Sequence, residues 1–270
     1  MAARARAAAF VSLAFAAPLL LLLAGALRAP GSTATTFGDL LPTSPTFSSF
    51  ERAFDLVPLD RQLLNSGIVA AVAVPLTVVC ASLAGFAMTL LPPRWRRLAI
   101  GTSLIGLMLP LSALWVPRFV MFSEAGLVDT YVPLVAPALI GTTPFYVLLF
   151  YWSYRRLSRD LIDAARLEGL GPVAIWRRVA APLVRPTTFA VAALAFVFHW
   201  GNFVDPLLYL TSPESYTLPL GLSALRGLGP TDLPVLLAGA VVATVPAVIA
   251  FALAQRRFLR GTAVAGWVGR

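Results

Sequence analysis

Six long apolar runs occupy most of this 270-residue chain, and they limit it to one class of fold. The runs cover residues 8–27, 64–91, 98–122, 132–152, 184–210 and 233–255. A helix needs about 20 apolar residues to cross a bilayer, and each run provides them. Only 12% of the residues are charged, about half of the fraction usual in soluble domains. The sequence therefore predicts an all-α integral membrane protein with six transmembrane helices in a single domain, residues 1–270.

Five prolines inside these runs predict kinks in the transmembrane helices. They are Pro75, Pro110, Pro117, Pro144 and Pro246. Each one frees a backbone carbonyl, and membrane helices tolerate this because neighbouring groups satisfy that carbonyl. Such kinks suit a helix bundle that moves during its function. The alternative is that the prolines only bend the helices so that they pack.

The arginines orient the chain in the membrane. With the N-terminus inside, 16 of the 21 basic residues fall on the inner side and 5 on the outer side, and all of them are arginine. Because basic loops stay in the cytoplasm, both termini and the 153–183 loop are predicted to face it. We expect a multi-pass protein of the plasma or inner membrane. The arginines cluster at span ends, so the net charge of +9 does not indicate nucleic-acid binding.

The first run has two interpretations. Arg4 and Arg6, an apolar stretch and then Ala24-Gly25-Ala26 fit a cleaved signal peptide. The run is about 20 residues long, however, and the apolar part of signal peptides is usually about 7–15. An uncleaved anchor is therefore favoured.

The polar loop after the fourth run has the pattern of two short helices. Asp160 is predicted to cap the first helix, with Asp163 as its return partner in a capping box. Gly169 stands where a left-handed residue ends a helix, a conformation that glycine adopts at little cost. Pro172 suits the first turn of the second helix, which is expected to end near Pro182.

The second short helix carries three residues that suit a membrane surface. Trp176, Arg177 and Arg178 are predicted to point towards the lipid headgroups. A generic amphipathic connector would explain these three residues, but it would not explain the full spacing of the loop.

That spacing resembles the cytoplasmic coupling loop of ABC importer permeases. The family pattern is Glu-Ala-Ala, three residues, Gly, nine residues and Ile-x-Leu-Pro. Here Asp163-Ala164-Ala165 is followed at the same intervals by Gly169 and by Val179-Ala180-Ala181-Pro182. Asp163 and Val179 are conservative departures from the pattern, and Ala181 in place of leucine is a larger one.

Other stretches extend the resemblance over most of the chain, from about residue 65 to the C-terminus. They include Met108-Leu109-Pro110, Gly126-Leu127-Val128-Asp129-Thr130-Tyr131 and Tyr216-Thr217-Leu218-Pro219-Leu220-Gly221-Leu222. These resemble carbohydrate permeases of the maltose type. The usual Trp-Asn-Asp/Glu run is altered, because Gly201 is inserted and no acid follows Asn202.

The resemblance implies a permease subunit that forms half of a translocation path for a sugar or related carbohydrate. The implied partners are a second homologous permease, two ATPases and an extracytoplasmic solute-binding protein, within membrane lipid. The residues implied to couple to the ATPase are Asp163, Ala164, Ala165, Arg166, Glu168, Gly169 and Pro182. ATP and Mg²⁺ would bind the partner ATPase, with no cofactor or metal on this chain. A Walker A loop needs lysine, which this sequence lacks, so the chain is predicted not to be an enzyme.

Polar residues within apolar runs are functional candidates. His199, Asn202 and Asp205 are three residues apart and would share one stripe of the fifth helix, lining the path near its outer mouth. The alternative is hydrogen bonding between helices, which uses the same residue types. Arg118 is predicted at a similar depth to Asp205, and a salt bridge between them would close an outer gate. Otherwise Arg118 would reach the headgroups and Asp205 the water.

Aromatic residues near span ends could stack on sugar rings. Phe119, Phe122, Tyr146 and Trp200 are the candidates for this part of the path. Their alternative role is as anchors at the membrane interface.

Two other function classes fit the sequence less well. A secondary transporter would need an ion or proton site at mid-membrane, where we find no acidic residue. An intramembrane enzyme would need a cluster of catalytic side chains, and the chain has one histidine and one cysteine, Cys80, within an apolar run.

Overall fold

The computed structural model describes residues 2–32, 38, 41–42, 44–225 and 233–265, which are mostly helical and contain no β-strand. The predicted all-α class is confirmed for these residues. The α-helices are α1 (Ala2–Ala26), α2 (Ser48–Leu56), α3 (Leu59–Leu90), α4 (Pro93–Met108), α5 (Trp115–Glu124), α6 (Val132–Val135), α7 (Pro144–Arg155), α8 (Arg159–Leu167), α9 (Pro172–Ile175), α10 (Ala181–Leu183), α11 (Arg185–Trp200), α12 (Val204–Tyr209), α13 (Leu218–Leu225) and α14 (Leu233–Ala265). A π-helical stretch, Trp176–Ala180, joins α9 to α10.

Three segments of the described chain are long and apolar enough to cross a membrane: Leu59–Leu90, Val132–Arg155 and Leu233–Ala252. Two bent helix pairs raise the number to 5 if each pair is one span. The apolar helix Ser12–Ala26 is shorter than these. Several membrane-crossing helices are therefore present, and the count of six stays a prediction.

Three predicted spans are not single α-helices, and that part of the prediction was wrong. In the run 132–152, residues 136–143 separate α6 from α7. In the run 98–122, α4 ends at Met108 and the next helical segment leaves at 92°. Proline offers no backbone N–H and disfavours helical geometry in the residue before it, which explains a break at Pro110. In the run 184–210, α11 ends at Trp200, and helix resumes only at Val204.

The other prolines that predicted kinks divide into two groups. Pro144 is the first residue of α7, and Pro117 lies in the first turn of α5. Proline is tolerated there because first-turn N–H groups have no partner within the helix, so these two residues start helices and the prediction of kinks was wrong. Pro75 and Pro246 lie inside α3 and α14.

The contacts divide the chain into two compact units. The first comprises Met1–Asn65 and Tyr216–Pro246, and the second comprises Ser66–Ser215 and Ala247–Arg270. A helical bundle and a pair of domains can both divide in this way, so the single domain stays a prediction. Within the first unit, the Asn65 amide donates to the carbonyl of Tyr216 at 2.9 Å.

The second unit has an apolar core that reaches into the polar loop. Leu148, Phe150 and Val191, from α7 and α11, are almost completely buried in it. Ala165 and Ile175, from the loop between α7 and α11, belong to the same cluster. The loop is therefore packed onto the helices rather than separate from them.

Gly85 of α3 lies in close contact with α7 in this unit. A Cβ atom there would lie 2.7 Å from the Phe150 Cβ and 2.8 Å from the backbone of Val147 and Tyr151. Because two of these neighbours are backbone atoms, we expect Gly85→Val to lower the free energy of unfolding by about 1–3 kcal/mol or more. Thermal unfolding in detergent measures this. Gly101→Val is the control, since no atom lies within 4 Å of that position, and equal losses in both variants would contradict the prediction.

Candidate functional site

Helix α8 begins earlier than its predicted cap. Its N-cap is Ser158, and Asp160 lies in the first turn, so the predicted capping box of Asp160 and Asp163 was wrong. The Asp163 carboxylate instead accepts a bond from the Arg166 guanidinium at 2.9 Å. The backbone of Ser158 is extended, so the helix starts at Arg159 and Asp160 lies in its first turn. The negative charge of Asp160 there interacts favourably with the positive end of the helix dipole.

The predicted left-handed glycine follows the end of α8 at Leu167. Gly169 has φ +81°, its N–H donates to the Arg166 carbonyl at 2.9 Å, and the Leu170 N–H donates to the Ala165 carbonyl at 3.1 Å. These two bonds form a Schellman motif, which satisfies carbonyls left free at a helix end. The predicted left-handed conformation of Gly169 is confirmed.

The second short helix begins and ends where the sequence predicts. Pro172 is its first residue. Helix ends at Leu183, one residue after Pro182, and the chain then turns by 86° into α11. The half-buried Trp176 ring packs against the core, whereas Arg177 and Arg178 are exposed, and the position of the three at the headgroups stays a prediction.

A hydrogen-bonded bridge ties this helix to two long helices. The Trp176 indole Nε1 donates to the Ser82 hydroxyl of α3 at 3.0 Å. The Ser82 hydroxyl also shares a 2.6 Å bond with the Tyr154 hydroxyl of α7. The three side chains together link the loop to α3 and α7.

The side chains predicted to couple to an ATPase do not share one environment. Ala165 is buried in the core, and Pro182 is half-buried. The exposed ones are Asp163, Ala164, Arg166, Glu168 and Gly169. Leu167, between them, is 91% exposed, and Leu161 is 42% exposed. The helix therefore presents apolar and charged groups together on its outer side.

Three of the predicted polar residues form what we call the polar cluster: Arg118, Asn202 and Asp205. The Arg118 guanidinium lies 3.4 Å from the Asp205 carboxylate, which confirms the predicted ion pair. The Asn202 amide donates to the other carboxylate oxygen at 2.8 Å. The Asn202 side-chain oxygen accepts the Asp205 N–H at 3.2 Å. Asn202 therefore satisfies one N–H in the first turn of α12 and steadies Asp205, although the predicted continuous fifth helix is absent.

His199 has a different partner. Its Nε2 lies 3.3 Å from the Thr142 hydroxyl, which shares a 2.5 Å bond with the Thr77 hydroxyl. The ring is buried and stands edge-on to Phe198. These contacts fit the alternative of bonding between helices.

Three interruptions of the helices surround one cavity of about 400 Å³. One residue from each interruption lines the cavity: Leu111 after the break at Pro110, Thr142 with its left-handed backbone, and Asn202 just after the end of α11. In membrane transporters, helix interruptions expose backbone polar groups where a solute passes, and non-helical backbone is tolerated where it lines a cavity. The lining includes the whole polar cluster together with Trp115 and Phe122.

The predicted aromatic path residues are mostly packed against other rings. The Phe119 ring stacks on Tyr209 at 6.2 Å, and the Trp200 ring stacks on Phe196 at 5.3 Å. Tyr146 is buried outside the cavity lining. Of the four aromatic candidates, the structure places only Phe122 in the lining.

Sequence reasoning gave no role to Asp129, which joins two loops. Its backbone has φ +62°, its carboxylate accepts bonds from the Thr211 and Ser212 N–H groups at 3.0 Å, and the Ser212 hydroxyl donates to it as well. The Ser212 hydroxyl, followed by these amides, lowers the pKa of Asp129 from its ordinary value. Two signals in the sequence pointed to this position: aspartate tolerates left-handed geometry better than most residues, and Asp129 lies in the stretch 126–131 that resembles carbohydrate permeases.

Comparisons with known proteins agree with this architecture. The family described as "Binding-protein-dependent transport system inner membrane component" matches residues 73–263. The arabinooligosaccharides transport system permease protein AraQ of Bacillus subtilis is 30% identical over 96% of this chain and 92% of its own length. The lactose transport system permease protein LacG of Rhizobium radiobacter is 28% identical over 84% and 80%, respectively.

A solved structure shares the fold. It is the crystal structure of a bacterial ABC transporter that imports the acidic polysaccharide alginate. One chain of it superposes with a TM-score of 0.77 over 95% of both chains, at 18% sequence identity. The family match covers well over half of the sequence. The chain therefore belongs to the family of inner membrane components of binding-protein-dependent transport systems, and it is a multi-pass membrane protein.

Proposed function

We propose that this chain is a permease subunit of an ABC importer and forms half of the translocation path for a sugar or related carbohydrate. Similar permeases are named for arabinooligosaccharides, lactose and trehalose, which supports a carbohydrate over other solutes. A second homologous permease would form the other half of the path. An extracytoplasmic binding protein would deliver the solute, and two ATPases would bind ATP and Mg²⁺. The chain would span the membrane six times, with both termini in the cytoplasm.

The observation that carries this proposal is the construction of α8. Its outer side exposes Leu161, Ala164 and Leu167, and its inner side buries Ala165 in the core. Outside the bilayer, a patch of exposed apolar side chains favours a protein partner, and Leu161 and Leu167 are 42% and 91% exposed here. We propose that an ATPase docks on this outer side, and that α8 passes its movement to α3 and α7 through the bridge of Trp176, Ser82 and Tyr154.

The cavity beside the polar cluster is our candidate for part of the path. The Arg118–Asp205 ion pair lies on its wall, so separating the two side chains would change the width and charge of the cavity. We propose that the pair holds the outer end of the path closed at rest. Hydroxyl-rich solutes suit the mixture of aromatic and polar groups around it.

The energy supply gives a direct test. We expect the purified chain alone to show no ATP hydrolysis above the detergent background, because it has no lysine for a Walker A loop. In proteoliposomes, uptake of a labelled carbohydrate should require the second permease, the ATPase, the binding protein and ATP. A partner ATPase whose P-loop lysine is replaced is the control. ATP hydrolysis by the contaminant-free chain alone would refute the proposal.

A further inference from the structure

A groove of about 490 Å³ lies between the start of α4, the end of α7 and helix α8. Four arginines line it: Arg96 from α4, Arg155 from the last turn of α7, and Arg159 and Arg166 from α8. We call it the arginine groove. Three separate segments of the chain contribute these side chains, so their convergence is a property of the fold and not of one basic stretch.

The charge of the arginine groove is not neutralised within the described part of the chain. Asp163 is the one acidic residue of the lining, and Arg166 holds it at 2.9 Å. Arg96, Arg155 and Arg159 form no ion pair with any described carboxylate. The lining therefore has a net charge of about +3, with 4 arginines against 1 aspartate, and a binding anion would offset it.

The N-terminus of α4 adds to the attraction. Pro93 is the first residue of α4 and lines the groove, and the first turn of this helix has no acidic residue. The N-terminus of a helix carries a partial positive charge and unpaired N–H groups. Together with the planar guanidinium groups, which match phosphate geometry, this end suits a phosphate ester.

The residues around the groove are of the types found at the level of lipid headgroups. Trp95, next to Arg96, is 50% exposed, and Trp152, one turn before Arg155, is 47% exposed. Exposed tryptophans at span ends are typical of the membrane–water interface. Leu90, Leu157 and Ile162 add apolar surface to the lining, which a free ion would not need and an acyl glycerol could use.

We propose that the arginine groove binds the headgroup of an anionic phospholipid of the inner leaflet. The phosphodiester lies among Arg96, Arg155 and Arg159. The glycerol and the first carbons of the acyl chains lie against the apolar residues of the lining. A lipid held there contacts α4, α7 and α8 together, and it fixes the position of α8 beside the bilayer. This inference does not depend on which solute the chain transports.

The test is a lipid titration of the detergent-purified full chain. Dioctanoyl-phosphatidylglycerol, dioctanoyl-phosphatidylcholine and inorganic phosphate are each added while the thermal unfolding midpoint is recorded. We expect phosphatidylglycerol to raise the midpoint saturably, and the other two to have little effect. Each arginine near an anionic lipid contributes about 1 kcal/mol, so Arg96→Gln with Arg155→Gln should weaken the apparent affinity about thirty-fold.

A matched variant separates the groove from general charge. Arg94→Gln with Arg97→Gln removes the same number of charges, both of them from the start of α4 beside Arg96. Neither residue lines the groove, so the lipid affinity of this variant should match that of the unmodified chain. Arg155→Gln alone, at an exposed helix end, is the second variant if the double groove variant does not fold. Equal weakening in both double variants, or an equal response to inorganic phosphate, would overturn the proposal. Unchanged lipid affinity with loss of ATPase binding in the groove variant would also overturn it and identify a protein-docking surface.

Discussion

Replacing Gly169 with valine is expected to abolish ATP-driven uptake while the protein remains in the membrane. The residue has φ +81°, which valine adopts only with strain. The cost of this geometry is about 1–2 kcal/mol for an ordinary residue, and a β-branched residue adds to it. No atom lies within 4 Å of an added Cβ, so the effect comes from the backbone and not from a clash. The Schellman bonds would be lost, and α8 would tilt away from the proposed ATPase.

The loop provides its own control for this experiment. Gly171 is two residues further on, has φ −71° and also has open space around an added Cβ. Gly171→Val should therefore retain most of the uptake. Asparagine tolerates left-handed geometry, so Gly169→Asn should retain more activity than Gly169→Ala, and Gly169→Val should retain least. The measurements are uptake into proteoliposomes and co-purification of the ATPase. Full activity of Gly169→Val would rule out the coupling role.

Reversing the charge of Arg118 or Asp205 should also cause a large loss of uptake. Removing one partner of a buried ion pair costs about 3–5 kcal/mol, and we expect less here because the Arg118 side chain is 21% exposed. Arg118→Asp would place two carboxylates together, and Asp205→Arg would place two guanidinium groups together. Each single variant should lose at least about tenfold in uptake, which corresponds to about 1.4 kcal/mol.

The double swap decides whether the pair itself matters. Arg118→Asp with Asp205→Arg restores opposite charges, so uptake should recover in part. Recovery should be incomplete, because Asn202 donates to Asp205 at 2.8 Å and would have to turn its amide to face an arginine. Glu124→Arg, an exposed charge reversal at the end of the same helix as Arg118, is the control and should have little effect. A double variant no better than the worse single variant would exclude the ion pair as a gate.

Local backbone rules explain which parts of the site could be predicted from sequence. Gly169 and Pro172 were placed correctly because left-handed ends and first-turn prolines depend on a few neighbouring residues. The cap of α8 was misplaced by two residues because Ser158 and Asp160 are both good capping types. The ion pair was predicted because Arg118 and Asp205 were expected at a similar depth in the membrane, where an unpaired charge is costly.

The tertiary features could not be read from the sequence in the same way. The break at residues 201–203 lies within an apolar run, and hydropathy does not distinguish a broken helix from a continuous one. Tryptophan is a residue type typical of interfacial anchors, and only the contact of Trp176 with Ser82 in α3 shows that its side chain points inward. The three helix interruptions meet at one cavity only through tertiary packing, since the lining residues are spread over more than ninety positions of the sequence.

The bridge of Trp176, Ser82 and Tyr154 sets a condition on exchanging parts between transporters. A chimera that takes the segment 158–183 from a relative, to recruit that relative's ATPase, would bring a new residue to position 176 and leave the hydroxyl groups of α3 and α7 unchanged. If the new residue lacks an N–H donor, Ser82 keeps one partner in place of two. The donor segment would then bind its ATPase without transmitting force to the membrane. Segment transplants should therefore include positions 82 and 154, although they lie 94 and 22 residues from Trp176 along the chain.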